Sequence, residues 1–147
     1  MQMPTHRPHS LKEQLHAAGF RATPSRLSIA EYLQKARTPL STPALTAALV
    51  PQELDLATLY RTLNSFEEKG LVRRVTIDPR FASYEWVHDE GHHHHHLVCE
   101  QCGLIEEIPN CELEALEKQV LRQTSQFKEI RSHSLEFFGV CKQCSHS

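Results

Sequence analysis

Two Cys-x2-Cys pairs, Cys99/Cys102 and Cys141/Cys144, constrain this chain more than any other feature. Four thiolates are the complete ligand set of a closed, tetrahedral structural zinc site. Gly103, directly after the first pair, suits a tight metal knuckle. There is no apolar run long enough to cross a membrane and no apolar leader before a small-residue cleavage site. The expected compartment is therefore the cytoplasm, where thiols favour metal over disulfide. Zinc here would pin the end of the chain to a hairpin some forty residues earlier and so stabilise a module with a thin core. The spacing also leaves open a redox switch in which loss of zinc lets the thiols pair. Cys111, the fifth cysteine, reads as a helix-start residue rather than a ligand.

Histidine is the second signal. Five of the 11 His are consecutive, His92–His96, and they run straight into the first cysteine pair. In a strand, alternate rings face opposite sides. His93 and His95 then share one face and His94 and His96 the other, which permits two separate sites. Glu85, Glu106, Glu107, Glu114 and His133 can complete them. Mixed nitrogen and oxygen sites suit Zn2+, Fe2+ or Mn2+, with geometry selecting among them. The plainer alternative is a solvated polar tract that binds metal adventitiously.

The 147 residues suffice for one ordinary domain or two small ones. With 39% hydrophobic residues and a mean hydropathy of −0.45, they can bury a modest core. The net charge of −2 divides unevenly: +3 over residues 1–86 and −5 over residues 87–147. A mildly basic half joined to an acidic half suggests two modules with different work.

The first half reads as helical. Ser10 and Glu13 form a capping-box pattern, and Gly19 stops that helix. Thr23-Pro24 opens a second helix, with Leu27, Ala30 and Leu33 at apolar spacing. A third helix fits residues 42–49. The fourth, over 55–69, is capped by Asp55 and carries Leu56, Leu59, Leu63 and Phe66 as its apolar stripe. Two strands follow, over 71–77 and 83–87. Helices followed by a hairpin are the order of a winged helix-turn-helix. On the fourth helix Ala57, Thr58, Tyr60, Arg61 and Asn64 point away from the apolar stripe and could contact bases and phosphates. Arg73, Arg74 and Arg80 fall on the hairpin, and Arg21 and Arg26 lie near the second helix. A charged helix face is also what any solvated helix presents. Beyond residues 88–91, strands are expected over 95–99, 104–108 and 128–138. A helix over 112–124 is expected to bury Leu113, Leu116 and Val120.

Four stretches together carry a family resemblance: A-T-P-S-R (22–26), D-L-A-T-L-Y-R-T-L (55–63), H-H-H-H-H-L-V-C-E-Q-C-G (92–103) and H-S-L-E-F-F-G-V-C-K-Q-C (133–144). In order and content the chain resembles the ferric uptake regulator family of metal-dependent bacterial repressors. The resemblance implies an α+β fold: a winged-helix DNA-binding domain over 1–87, a hinge over 88–91 and a metal-binding α/β dimerisation domain over 92–147. It implies a homodimer that binds an AT-rich palindrome in double-stranded DNA when its regulatory metal is present. By matching position, Cys99, Cys102, Cys141 and Cys144 resemble the structural zinc ligands. Glu85, His94, His96 and Glu107 resemble the regulatory site, for Fe2+ or Zn2+ with Mn2+ a further candidate. His93, His95, Glu114 and His133 resemble an additional metal site. Tyr60 resembles the base-contacting residue, with Arg61 on phosphate, Arg21 near the minor groove, and Thr58 and Asn64 on the same face.

Two departures qualify the match. Many members supply a regulatory His from the DNA-binding domain, where this chain has Thr38, Pro39 and Leu40. The hinge site then uses the remaining ligands or recruits His88 or Glu90, or the coupling of metal to DNA runs through the additional site. The family's peroxide sensors tend to carry Asp in the regulatory set, whereas Glu85 and Glu107 stand here. The competing function is a cytosolic zinc or iron buffer or metallochaperone, which leaves the first half without a task. No sequence signature of an enzyme is present: H-E-x-x-H, G-x-S-x-G and a phosphate loop are all absent.

Overall fold

Capped helices and a short sheet build the first of two compact units, Met1–Val87 and His88–Ser147. The computed structural model describes residues 10–52, 54–88, 94–109 and 112–146. The expected hinge, apart from His88, and His93 and Cys111 lie outside these residues.

In the first unit the sequence signals for helix ends act as anticipated. Helix α1 (Leu11–Ala17) starts at the reciprocal Ser10–Glu13 capping box, and α2 (Pro24–Lys35) starts at Thr23 with Pro24 in its first turn. Helix α3 (Thr42–Leu49) is capped by the Ser41 hydroxyl. The fourth, α4 (Leu56–Glu68), is capped by Asp55, which accepts from the backbone N–H groups of Ala57 and Thr58. It ends where Gly70 adopts φ +73, and the N–H groups of Gly70 and Leu71 return to the carbonyls of Glu67 and Phe66. Those two bonds satisfy carbonyls that the helix terminus would otherwise orphan.

Strands β2 (Val72–Asp78) and β3 (Phe81–Trp86) form the hairpin, and β1 (Leu40–Ser41) pairs with the outer side of β3 to give the order β1-β3-β2. Strand β1 was not anticipated, because two residues between helices carry no alternation to read. Ile29, Ala30, Leu33, Leu45, Leu59, Leu63, Phe66, Tyr84 and Trp86 close the core. Each large side chain buried this fully contributes about 1.5–3 kcal/mol. One expectation is corrected: Leu56 is 45% exposed, and Thr62 takes the buried place on α4. Leu56 lies in the first turn, outside the span where the helix meets the core.

The second unit is a three-stranded sheet in the order β5-β4-β6, with β4 (His95–Cys99) antiparallel to β5 (Ile105–Ile108) and parallel to β6 (Glu136–Gly139). Helix α5 (Glu114–Arg122) and the single-turn α6 (Lys142–Ser145) complete it. The last long strand shrinks to four residues, since residues 128–135 run outside the ladder. Helix α5 is shorter than expected and buries none of its residues: Leu116 is 50% and Val120 47% exposed. Its apolar stripe is real but finds little cover among the described residues. Among the described residues no helix is long and apolar enough to cross a membrane.

Candidate metal centre

The first cysteine pair is shaped by a knuckle at the end of β4. The Cys99 N–H donates to the Leu104 carbonyl at 2.8 Å and the Gly103 N–H donates to the Cys99 carbonyl at 2.9 Å, while Gly103 sits at φ +73. That left-handed position favours glycine. The second pair arrives because β6 runs parallel to β4, which carries the chain end to the same edge. There the Cys141 N–H donates to Cys99 Sγ at 3.3 Å.

Sγ of Cys102 lies 3.7 Å from Sγ of Cys141, and all four sulfurs lie within 4.8 Å of one another. A disulfide would hold two sulfurs at about 2.05 Å. Four sulfurs each about 2.3 Å from one tetrahedral zinc stand roughly 3.8 Å apart. The cluster therefore fits a Zn2+ ion and not a disulfide pair.

The thiols are unequal in acidity. Backbone N–H groups of Cys141 and Cys102 hold the Cys99 thiol down to about 6, whereas the neighbouring sulfurs of Cys141 and Cys102 push Cys144 up to about 12. Four thiols this close cannot all ionise unless a cation compensates them, so metal uptake here is coupled to proton release.

Two histidine clusters flank β4, as the alternation of its side chains requires. On one side His94 Nδ1 lies 3.2 Å from Glu107 Oε1, the His94 and His96 rings meet edge to face at 5.2 Å, and His96 stands opposite Glu107 in the β4–β5 register. His96 is buried. On the other side His95 Nε2 lies 3.3 Å from His133 Nε2, bringing together two residues separated by 38 positions. Glu85 lies in the first unit on β3, where it is buried and ion-paired with Arg73. Glu114 is exposed and bonded to Lys118 at 2.7 Å, while Glu117, which the sequence reading passed over, reaches His133 Nδ1 at 2.7 Å. The signal that could have found it is spacing: Glu114 and Lys118 are a helical i, i+4 pair, which leaves the carboxylate one position before Lys118 available.

On α4, Tyr60, Arg61 and Asn64 are exposed, and Thr58 is partly buried with its hydroxyl bonded to Asp55. Arg61 Nε donates to the Ala57 carbonyl at 3.3 Å, which lays its guanidinium along the helix. Arg21 is exposed, and its carbonyl accepts from Arg26.

A winged helical unit joined to a small unit rich in thiol and imidazole ligands defines a metal-binding regulator of the winged-helix class. Residues 17–138 match the model of the ferric uptake regulator family, and the chain belongs to that family. It is 35% identical over 134 residues to the ferric uptake regulation protein of Neisseria gonorrhoeae, covering 89% of this chain and 90% of that protein. It is 31% identical over 141 residues to the peroxide-responsive repressor PerR of Staphylococcus aureus, covering 92% of each. The ferric uptake regulator of Francisella tularensis, solved with iron, superposes with a TM-score of 0.69 at 32% identity, covering 86% of this chain and 96% of that one. The protein is thus a metal-responsive, DNA-binding transcriptional regulator, and members of this family are not enzymes.

Proposed function

We propose that the protein acts as a homodimer that represses metal uptake or homeostasis genes by binding an AT-rich palindrome when its regulatory Fe2+ or Zn2+ is present. Mn2+ is a further candidate effector. In this reading residues 1–87 bind DNA, 88–91 are the hinge and 92–147 dimerise. Cys99, Cys102, Cys141 and Cys144 hold a structural Zn2+. Glu85, His94, His96 and Glu107 are the regulatory ligands, and His93, His95, Glu114 and His133 serve the additional site. Tyr60, Thr58 and Asn64 face bases, while Arg61 and Arg21 face the backbone and minor groove.

The observation that carries the reading is the distribution of regulatory ligands along the chain. Glu85 belongs to the last strand of the DNA-binding unit, while His96 and Glu107 belong to the first two strands of the other and His94 directly precedes the first of them. One ion drawing on both groups narrows the range of angles between the units. In a dimer that fixes the spacing of two recognition helices to half-sites on one face of the duplex. The dimer is supported by the exposed apolar side chains of the second unit: Leu97, Leu116, Val120, Phe127, Phe137 and Phe138. A unit of this size that leaves so many large apolar side chains exposed has surface to bury against a partner.

The test is recovery of genomic fragments by the purified protein after chelation, with iron(II), zinc or manganese restored separately. One palindrome enriched by one metal supports the reading and names the effector. No enrichment with any metal, despite bound zinc, overturns it in favour of a metal buffer.

A further inference from the structure

Both histidines of the cluster behind β4 are oriented by acceptors on their Nδ1 side. His95 Nδ1 lies 2.9 Å from the Leu135 carbonyl, and His133 Nδ1 lies 2.7 Å from the Glu117 carboxylate. A carbonyl and a carboxylate can only accept, so each Nδ1 carries the proton. The two Nε2 atoms, which are then the lone-pair ends of their rings, face each other at 3.3 Å. Two nitrogens each about 2.05 Å from one tetrahedral metal stand roughly 3.3 Å apart. The pair therefore fits a metal that both rings bind through Nε2.

We propose that Glu117 is the positioning residue for the additional metal site: it holds His133 in the Nδ1–H tautomer and aims Nε2 at the ion, without being a ligand itself. This rests on the reading that His95 and His133 are ligands. The Leu135 carbonyl does the same for His95, so the site has one backbone and one side-chain orienter. Glu117 also raises the basicity of the ring it holds, as outer carboxylates do for metal-bound imidazoles. Glu114 is exposed and bonded to Lys118 at 2.7 Å. Glu117 reaches His133 from the middle of α5, which is how a helix that buries no side chain still contributes to the site.

The experiment uses the full chain with the four-Cys site filled with zinc. Further zinc is titrated against a chromophoric chelator for wild type, Glu117→Ala, Glu117→Gln and His133→Ala. Long-range nitrogen–proton NMR spectra report the ring tautomer of His133 before that zinc is added. Loss of the outer partner should weaken the additional site by about 10–100-fold in Glu117→Ala, with partial rescue in Glu117→Gln, whose carbonyl still accepts. His133 should be the Nδ1–H tautomer in wild type and lose that preference in Glu117→Ala. If wild type takes up a further zinc that His133→Ala abolishes, yet Glu117→Ala retains both affinity and tautomer, the role of Glu117 is overturned while the site stands. If wild type takes up no further zinc, the site itself fails and the proposal with it.

Discussion

Arg73 and Glu85 stand directly opposite each other on β2 and β3, and the Arg73 guanidinium closes on one carboxylate oxygen. Nε donates to Oε1 at 2.7 Å, and Nη2 donates to the same atom. The Glu85 side chain is only 9% exposed, and a carboxylate so buried needs a counter-charge. Within the first unit Arg73 provides it.

Arg73→Ala should therefore have two separable effects. Leaving Glu85 buried without this partner destabilises the first unit by about 1–3 kcal/mol, toward the low end because Arg73 is about a third exposed. Urea unfolding followed at Trp86, the single tryptophan, reads that unit alone. Under the proposed function a metal ion also approaches Glu85, and removing the resident cation lowers the metal concentration needed for DNA binding. Wild-type stability together with a wild-type metal response would show that the pair does neither job.

Zinc removal should act on the other unit. Among its described residues only Val98 and Cys99 are buried hydrophobics, whereas the first unit closes a core of thirteen buried side chains. A sheet with so little buried apolar surface depends on its metal cross-link. Chelation or Cys141→Ser should abolish hydrogen-exchange protection in β4 and β6 and leave the Trp86 unfolding curve in place. Protection that survives in zinc-free protein would remove the structural role of the cluster.

The N-cap of α4 gives a pH dependence. The Thr58 hydroxyl, then the Thr58 N–H, hold the Asp55 carboxyl below its ordinary value of 3.8, with smaller help from Ala57 and Arg61. A depressed folded-state value means the contribution is complete above the unfolded-state value and is lost as pH falls through the folded one. Asp55→Ala should thus lower the urea midpoint at pH 7, and the gap to wild type should close as pH falls below about 4. Asp55→Asn, which still caps, should lose less. A gap that persists to pH 2 would mean the carboxylate is not the stabilising group.

The exposed face of α4 separates reading from holding. Tyr60→Ala should weaken binding to the recovered operator by about 10–100-fold, the range for losing one base contact, without lowering the urea midpoint, because Tyr60 is 42% exposed. Arg61→Ala should weaken binding to all sequences alike and reduce the salt slope by about one ion. Equal loss for operator and random DNA in Tyr60→Ala would remove it from base recognition.

What the sequence made legible was local chemistry. Ser10, Thr23 and Asp55 cap because their oxygens accept from N–H groups two or three residues on, and that is written in adjacent letters. The cysteine spacing was equally readable, since four thiols have few other uses. Strand β1 and the shortened β6 were hidden because each is fixed by a partner strand far away in sequence. Leu116 and Val120 have the helical spacing of core residues, and periodicity alone does not say which molecule covers them. The choice between Glu114 and Glu117 also turns on a long-range contact, that of His133 with α5.

Under the proposed function a second metal, beyond the four-Cys zinc, controls DNA affinity. The most direct measurement is the fluorescence anisotropy of a duplex carrying the recovered operator, titrated with zinc-filled protein with and without the regulatory metal. The regulatory metal should tighten binding by about 5–150-fold, the usual span of a coupling free energy between two sites, and His96→Ala should lose that gain. Equal affinity in both conditions, at a protein concentration where the four-Cys site stays filled, would contradict it.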